Sequence, residues 1–120
     1  MNSLVKTGTG HILVKNLLVR ATSWGRLRGL VLYPQLEKDS AMFFVATKRV
    51  HTHGMLFPLD LYFFNRAMQF IGSQRCVAPW KLPESSEGTH HILEIHHRPS
   101  LEPLRLKVGE QVSILWKIRQ

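Results

Sequence analysis

Short apolar runs, separated by polar residues, glycine or proline, recur along the chain. Runs of this kind that are rich in β-branched and aromatic residues are typical of strands. The pattern predicts strands over 11–20, 41–46, 59–64, 90–97 and 111–118, and a hairpin that turns at 65–69 into a strand beginning at Phe70-Ile71. Gly8 and Gly10 indicate a flexible lead-in, 79–89 a surface loop and 99–107 an irregular segment.

One segment has a different period. Trp24, Leu27 and Leu30 recur at helical spacing, and Thr22 or Ser23 precedes them as a candidate N-cap. The sequence therefore predicts a short helix after the first strand. We find no internal repeat and no domain boundary, so residues 1–120 are expected to form a single α+β, mostly β domain with a compact sheet or barrel-like core.

Composition limits the class of protein. The chain has 120 residues, of which 44% are hydrophobic, enough for one core without disulfides. Cys76 is the single cysteine, so an intrachain disulfide and a cysteine-based zinc cage are excluded. The sequence shows no signal-peptide pattern and no apolar run near the roughly 18 residues that span a bilayer. We therefore expect a soluble, cytoplasmic protein with no membrane partner, as a monomer or weak homodimer.

The formal net charge is +8 and the sequence pI is about 10.3. A pI above about 9 is typical of nucleic-acid-binding domains when the basic residues cluster. Here the arginines and lysines are scattered, in pairs at most. A basic, solvated surface is the preferred interpretation, and a nucleic-acid-associated protein is a further alternative.

The most distinctive segment is 50–64, in which two histidines, a glycine, a proline and an acid interrupt an apolar run. His51 and His53 would lie on one face of an extended segment, and Asp60 would join them if Gly54 and Pro58 fold the chain back. Two imidazoles and a carboxylate suit a divalent metal. The preferred interpretation is structural, with no cofactor. A third possibility is that these side chains line a cleft for an organic ligand.

Other charged residues offer a different kind of site. Arg26 or Arg28 could form a bidentate pair with Asp60 or Glu94, or bind a substrate carboxylate or phosphate if left partly free. The buried pair is preferred, because charges in apolar surroundings must be matched. Glu94 is expected on the wetter face of its strand. Cys76 is expected to be an ordinary semi-buried thiol.

The residues also resemble a known family in their order. The matching groups are Arg26-x-Arg28-Gly29-Leu30, Met42-Phe43-Phe44, His51-Thr52-His53-Gly54-Met55-x-Phe57-Pro58-Leu59-Asp60-x-x-Phe63, Val77-Ala78-Pro79, Ile92-Leu93-Glu94-Ile95 and Leu106-x-Val108-Gly109-Glu110-Gln111-Val112. Together they resemble the domain of unknown function 192 (DUF192) over about residues 12–116. The resemblance implies a compact β-rich domain with a short helix after the first strand, and no established activity. The chain departs from the family pattern at His96–Pro99 and at Gly109-Glu110.

Three functional hypotheses follow. The first is a non-enzymatic binding or accessory domain that takes a small anionic ligand in a cleft near 51–60 and Arg26/Arg28. The second is a metal-dependent hydrolase or other metalloenzyme using His51, His53 and Asp60, and the third is the nucleic-acid-associated protein. The signature residues for any such site are Arg26, Arg28, Gly29, His51, His53, Gly54, Met55, Pro58, Asp60 and Glu94, and no catalytic residue is assigned.

Overall fold

The computed structural model describes residues 2–20, 40–53 and 55–117. These residues form seven strands and no helix. The strands are β1 (Asn2–Lys6), β2 (Ile12–Arg20), β3 (Ser40–Phe44), β4 (Leu59–Phe64), β5 (Phe70–Val77), β6 (His91–His96) and β7 (Val112–Leu115). They belong to one sheet in the order β5-β4-β6-β3-β2-β1-β7.

The sheet is antiparallel except at one pair of strands. β2 and β3 are parallel, with Leu18 opposite Met42. The two ends of the strand order approach each other, because Gln69 and Gln111 form an isolated bridge and the Val112 N–H donates to the Met68 carbonyl at 2.9 Å. The sheet therefore curls into the barrel-like core that the pattern predicts.

Alternate residues of the strands point to the inside of this curled sheet and form the inner core. Every strand contributes to it. Its buried members are Leu4, Val14, Leu17, Ala41, Phe43, Tyr62, Phe64, Phe70, Leu93, Ile95 and Val112. Leu101, Leu104 and Leu106 of the irregular segment pack against them, so this segment closes one side of the inner core.

A second cluster, the outer core, lies on the opposite face of β3, β4 and β6. Met42, Phe44, Leu59, Leu61, Phe63 and Ile92 come from these strands, and Val50, Met55 and Phe57 come from the segment between β3 and β4. Those three strands are consequently covered on both faces. Double coverage explains why β4, Leu-Asp-Leu-Tyr-Phe-Phe, is apolar at every position but Asp60 rather than alternating between apolar and polar residues.

Most predicted strands are confirmed. β4 has the predicted bounds, while the last strand ends at Leu115 and is shorter than expected. The flexible lead-in was wrong, because Asn2–Lys6 is a strand between β2 and β7 and the Gly10 N–H closes the turn onto the Lys6 carbonyl at 2.8 Å. The helix predicted after the first strand lies outside the described residues. No helix in the described part of the chain is long and apolar enough to span a membrane.

The turn between β4 and β5 is stabilised by a side chain rather than by an Asn-Gly pair. Oδ1 of Asn65 accepts the N–H groups of Ala67 and Gln69, both at 3.0 Å. Met68 takes the left-handed conformation with φ of 63°. An Asn side chain that bonds the backbone ahead of it is a common way to form a turn, and the predicted hairpin is confirmed.

We predict that Phe43→Ala lowers the free energy of unfolding by about 3–5 kcal/mol, because it opens a cavity in the inner core. The Phe43 side chain is fully buried and its ring centroid lies 5.8 Å from that of Phe64. Leu56→Ala is the control, since Leu56 is 80% exposed and should change stability by less than about 0.5 kcal/mol. Urea unfolding measures both, and equal losses would contradict the assignment of the core.

Candidate functional site

The segment before β4 is anchored to the turn after β5 by one buried threonine. The Thr52 N–H donates to the Lys81 carbonyl at 2.8 Å and the Trp80 N–H donates to the Thr52 carbonyl at 2.9 Å. The Thr52 hydroxyl accepts from the Lys81 N–H at 2.8 Å and donates to the Ala78 carbonyl at 2.7 Å. Because the hydroxyl and both backbone groups of Thr52 are satisfied, residues 51–53 and 78–81 are held as one unit.

That unit presents three aromatic rings at the surface, which we call the aromatic ledge: His51, His53 and Trp80. The ring centroids of His51 and His53 are 5.0 Å apart, and His53 meets Trp80 edge-on at 5.7 Å. Trp80 is 66% exposed and has a φ of 65°. A bulky residue in the left-handed region costs about 1–2 kcal/mol, so the chain holds an exposed indole in place at the expense of stability.

Asp60 lies on the other side of the sheet, where it is 1% exposed. Its Oδ1 accepts the Cys76 N–H at 2.8 Å and bonds Nδ1 of His97 at 2.8 Å. Its Oδ2 accepts hydrogen bonds from Nε and Nη2 of Arg75, each at 3.4 Å. The Arg75 Nη2 also donates to the Leu101 carbonyl at 2.8 Å. A buried carboxylate with this many donors is well compensated.

A bulge in β5 explains why Asp60 meets two consecutive residues of the neighbouring strand. Leu59 lies opposite Val77 and Leu61 opposite Gln74, so Arg75 and Cys76 both face Asp60. Cys76 has a φ of 56°, and its thiol is exposed rather than semi-buried as predicted. Bulges bend a strand and redirect its side chains, and this one turns Arg75 and the Cys76 N–H toward the same carboxylate.

These positions bear on the metal hypothesis for His51, His53 and Asp60. Asp60 alternates with Leu59 and Leu61 of the outer core, so its side chain points inward, whereas the segment that carries the two histidines packs on the outer face. Within residues 2–20, 40–53 and 55–117, no three His, Cys, Asp or Glu residues group so as to hold a metal ion. The three residues are not brought together as one ligand set.

Glu94 does not lie on a wetter face, as the sequence suggested. It is fully buried, between Met42 of β3 and Leu61 of β4. The expectation failed because both faces of β6 are covered, the outer one by the segment before β4. His96, on the same face, stacks on Phe57 with ring centroids 3.8 Å apart.

His91 begins β6 and points to the inner face, where its ring stacks on Phe43 at 5.7 Å. Its Nδ1 accepts the Ala46 N–H at 3.1 Å, a bond that requires this nitrogen to carry no proton. Burial, followed by the neighbouring His90 and Arg66, lowers the pKa of His91 below its ordinary value of 6.5. The neutral ring is therefore part of the folded structure.

A concavity of about 460 Å³ lies beside the β5 bulge. It is lined by Gln74, Arg75, Cys76, Val77, Ala78, Lys81, Leu82, Pro83 and Glu84. The loop that forms its far wall is held along β5 by Gln74, whose side-chain amide donates to the Glu84 carbonyl, and by Ser86, which packs on Gly72 where a Cβ would not fit. The strand and the loop therefore form the two walls of the concavity.

The charged groups of the concavity are mostly basic. Arg75 and Lys81 line it, and the acid of its rim, Glu84, lies 3.8 Å from Nη2 of Arg49. The ammonium group of Lys81 makes no ion pair with any residue of the described ranges. Sequence reasoning missed Arg75 and Lys81 as site residues, because a bulge and a loop folded back along a strand leave no periodic signal.

The remaining signature residues lie either outside the described part of the chain or in structural positions. Arg26, Arg28, Gly29 and Gly54 lie outside the described residues, so the predicted pairing of Arg28 is not tested. Met55 is buried in the outer core, and the Pro58 carbonyl accepts the His97 N–H at 2.9 Å. This bond helps to place the His97 ring beside Asp60. His97 belongs to the segment in which the chain departs from the family pattern.

Comparisons with known proteins agree with the resemblance found in the sequence. The DUF192 family model, described as "Uncharacterized ACR", matches residues 5–114. No curated protein matches the chain significantly.

Two solved structures have the same fold at low identity. A protein of unknown function from Novosphingobium aromaticivorans is 19% identical, with a TM-score of 0.71 over 93% of this chain and 82% of that one. A protein from Sinorhizobium meliloti, provisionally described as a transcription regulator, is 16% identical, with a TM-score of 0.70 over 93% of this chain and 90% of that one. At such identities the likeness extends to the fold alone.

We predict that Thr52→Val loosens the turn after β5. The amide proton of Lys81 should exchange about fivefold faster, since a lost hydrogen bond of about 1 kcal/mol lowers the local opening energy. Thr52→Ser keeps the hydroxyl and should preserve the protection of that amide. Amide hydrogen exchange followed by NMR distinguishes the two, and equal exchange in both variants would contradict the anchoring role.

We also predict that stability falls as the pH is lowered from 7.5 to about 5.5. The folded-state pKa of His91 is below its ordinary value, so the unfolded chain binds more protons and the contribution is lost below about 6.5. His91→Gln should flatten this dependence, whereas the control His11→Gln, at an exposed turn, should not. Thermal unfolding across the pH range is the measurement. A wild-type slope retained in His91→Gln would disprove the assignment.

Proposed function

The chain belongs to the DUF192 family, and we propose that it is a non-enzymatic binding domain that takes a small anionic ligand in the concavity beside the β5 bulge. The observation that carries the proposal is that one concavity is lined both by the partly exposed Arg75 and by Lys81, whose ammonium group forms no ion pair with any described residue. The concavity has a volume of about 460 Å³ and is broadly open to solvent.

Orientation of Arg75 supports this proposal. Its guanidinium group is held by the buried Asp60 and by the Leu101 carbonyl. Groups that are already ordered lose less conformational entropy when a ligand binds. In this proposal Arg75 has the role that the sequence hypothesis gave to Arg26 and Arg28, which lie outside the described residues, and the site is close to residues 51–60.

The chemistry at the concavity favours binding over a reaction. Asp60 is committed to Arg75, His97 and the Cys76 N–H, so it has no accessible oxygen to act as a general base. A general base must be within hydrogen-bond reach of a substrate proton, and Asp60 is buried beneath the residues that line the site. Two basic residues line the concavity, Arg75 and Lys81, and their guanidinium and ammonium groups are of the kind that recognises carboxylates and phosphates.

The metalloenzyme hypothesis keeps one supporting observation, the proximity of His51 and His53. Two imidazoles alone are fewer ligands than a catalytic zinc site uses. Elemental analysis of protein purified without a histidine tag decides this alternative, which requires about one metal ion per chain.

We predict that phosphate- or carboxylate-bearing compounds raise the melting temperature. A ligand at ten times its Kd should stabilise the protein by about 1.4 kcal/mol, a shift of a few degrees. Lys81→Ala should abolish the shift without unfolding the protein, because its side chain is exposed. Lys117→Ala removes a basic residue that does not line the concavity and serves as the control.

A thermal-shift screen of small anions makes this measurement. Two results would refute the proposed function: no anion of the screen shifts the melting temperature, or Lys81→Ala and Lys117→Ala leave the same shift.

A further inference from the structure

The aromatic ledge borders the concavity. Ala78 and Lys81 both line the concavity, and Trp80 lies between them in the chain. The Thr52 hydrogen bonds that position Trp80 also bond the backbone of Lys81 and Ala78. The residues that carry the exposed indole and the ammonium group, Trp80 and Lys81, are therefore consecutive in one hydrogen-bonded backbone unit.

Two features of Trp80 indicate a use outside the core. The side chain is 66% exposed, so it contributes little to packing, and it is held in the left-handed region that disfavours large residues. Strained residues that the surrounding structure holds in place occur preferentially at ligand sites. His53 meets the Trp80 ring edge-on, which fixes the direction of the indole and leaves it suited to stack a planar ring.

The charged residues around the ledge and the concavity limit the kind of planar ligand that could bind there. Lys81 has no ion pair within the described ranges, Arg75 is partly exposed, and the acid of the rim, Glu84, is close to Arg49. This environment disfavours a cationic ligand and favours an anion. A nucleotide has both features, since its planar base carries an anionic phosphate group a few bonds away.

The number of cations distinguishes a single nucleotide from a nucleic-acid strand. Binding to a strand needs a row of cations that follows the phosphates. At this site the described residues supply Lys81 and the Asp60-paired Arg75. One or two cations match one phosphate group.

From these observations we propose that the ledge and the adjoining concavity bind a nucleoside monophosphate, with the base stacked on Trp80 and the phosphate paired with Lys81. The inference rests on the proposed function, since the concavity is the anion site of both. It adds the class of ligand and a role for a residue, Trp80, that the anion site alone does not need.

Isothermal titration calorimetry at fixed ionic strength tests the proposal. The probes are adenosine and uridine monophosphates, ribose 5-phosphate, which lacks the base, and adenosine, which lacks the phosphate. The variants are Trp80→Ala, Trp80→Phe, which keeps an aromatic ring, and Lys81→Ala, with Lys117→Ala as the control. Circular dichroism melts establish that each variant is folded.

We expect the monophosphates to bind about 5- to 150-fold more tightly than ribose 5-phosphate, the range that one stacked base supplies. Trp80→Ala should lower their affinity to that of ribose 5-phosphate, and Trp80→Phe should restore most of the loss. Lys81→Ala should lower the affinity for the monophosphates and for ribose 5-phosphate, leaving adenosine unchanged.

Other results separate the two proposals. If the monophosphates and ribose 5-phosphate bind equally and Trp80→Ala has no effect, the nucleotide inference is wrong and the anion site stands. If no phosphate compound binds, the nucleotide inference falls together with the phosphate branch of the proposed function, and carboxylates remain to decide the latter. An eight-residue oligothymidylate that binds far more tightly than thymidine monophosphate, with steep salt dependence, would replace the free nucleotide by single-stranded nucleic acid.

Discussion

A single buried carboxylate organises the part of the molecule that carries its polar chemistry. Burying an unpaired charge is prohibitively costly, so the fold must bring donors to Asp60. Those donors come from two places in the chain: the bulge of β5 supplies Arg75 and the Cys76 N–H, and the residue after β6 supplies His97. Meeting the demand of one acid thus fixes the bulge, the end of β6 and the direction of Arg75. The irregular segment that closes the inner core is tied to the same network through the Leu101 carbonyl.

The second constraint is that β3, β4 and β6 are covered on both faces. Coverage of the outer face requires the segment before β4 to fold back over the sheet, and Val50, Met55 and Phe57 fix it there by burial. Thr52 lies between these apolar anchors and points the other way, toward the turn after β5. The aromatic ledge is therefore a consequence of where the apolar residues of the segment must go. Hydrophobic burial sets the path of the chain, and hydrogen bonds to Thr52 set the position of Trp80.

This division explains what could be predicted from the sequence. β4 and β6 were found because apolar residues dominate them, each with one acid among the apolar positions, a composition that burial on both faces produces. β1 was missed because Asn2–Lys6 has only two apolar residues, and its place depends on pairing with β2 and β7, which are distant in sequence or separated by a turn. Glu94 was wrongly assigned to a solvent-exposed face, because the assignment relied on alternation along the strand. Alternation predicts exposure only when one face of the strand is open to solvent, and both faces of β6 are covered. The hydrogen-bond partners of Asp60 could not be predicted from the sequence, since a bulge has no periodic signature and His97 is distant from Asp60 in the chain.

The segment 50–64 was singled out as the most distinctive, with a metal set as an alternative to the preferred structural role, and the fold divides it. Its histidines belong to the segment that covers the outer face of the sheet, whereas its acid points to the inner side because it alternates along β4 with Leu59 and Leu61 of the outer core. A spacing pattern records which residues are neighbours in the chain but not which side of a sheet they reach. The two halves are joined by β5 and the turn that follows it. The Cys76 N–H of the bulge donates to Asp60, and the Lys81 N–H of the turn donates to the Thr52 hydroxyl. The concavity lies between these two attachments. Lys81 lines it, and the exposed Trp80 precedes Lys81 in the turn whose backbone Thr52 holds.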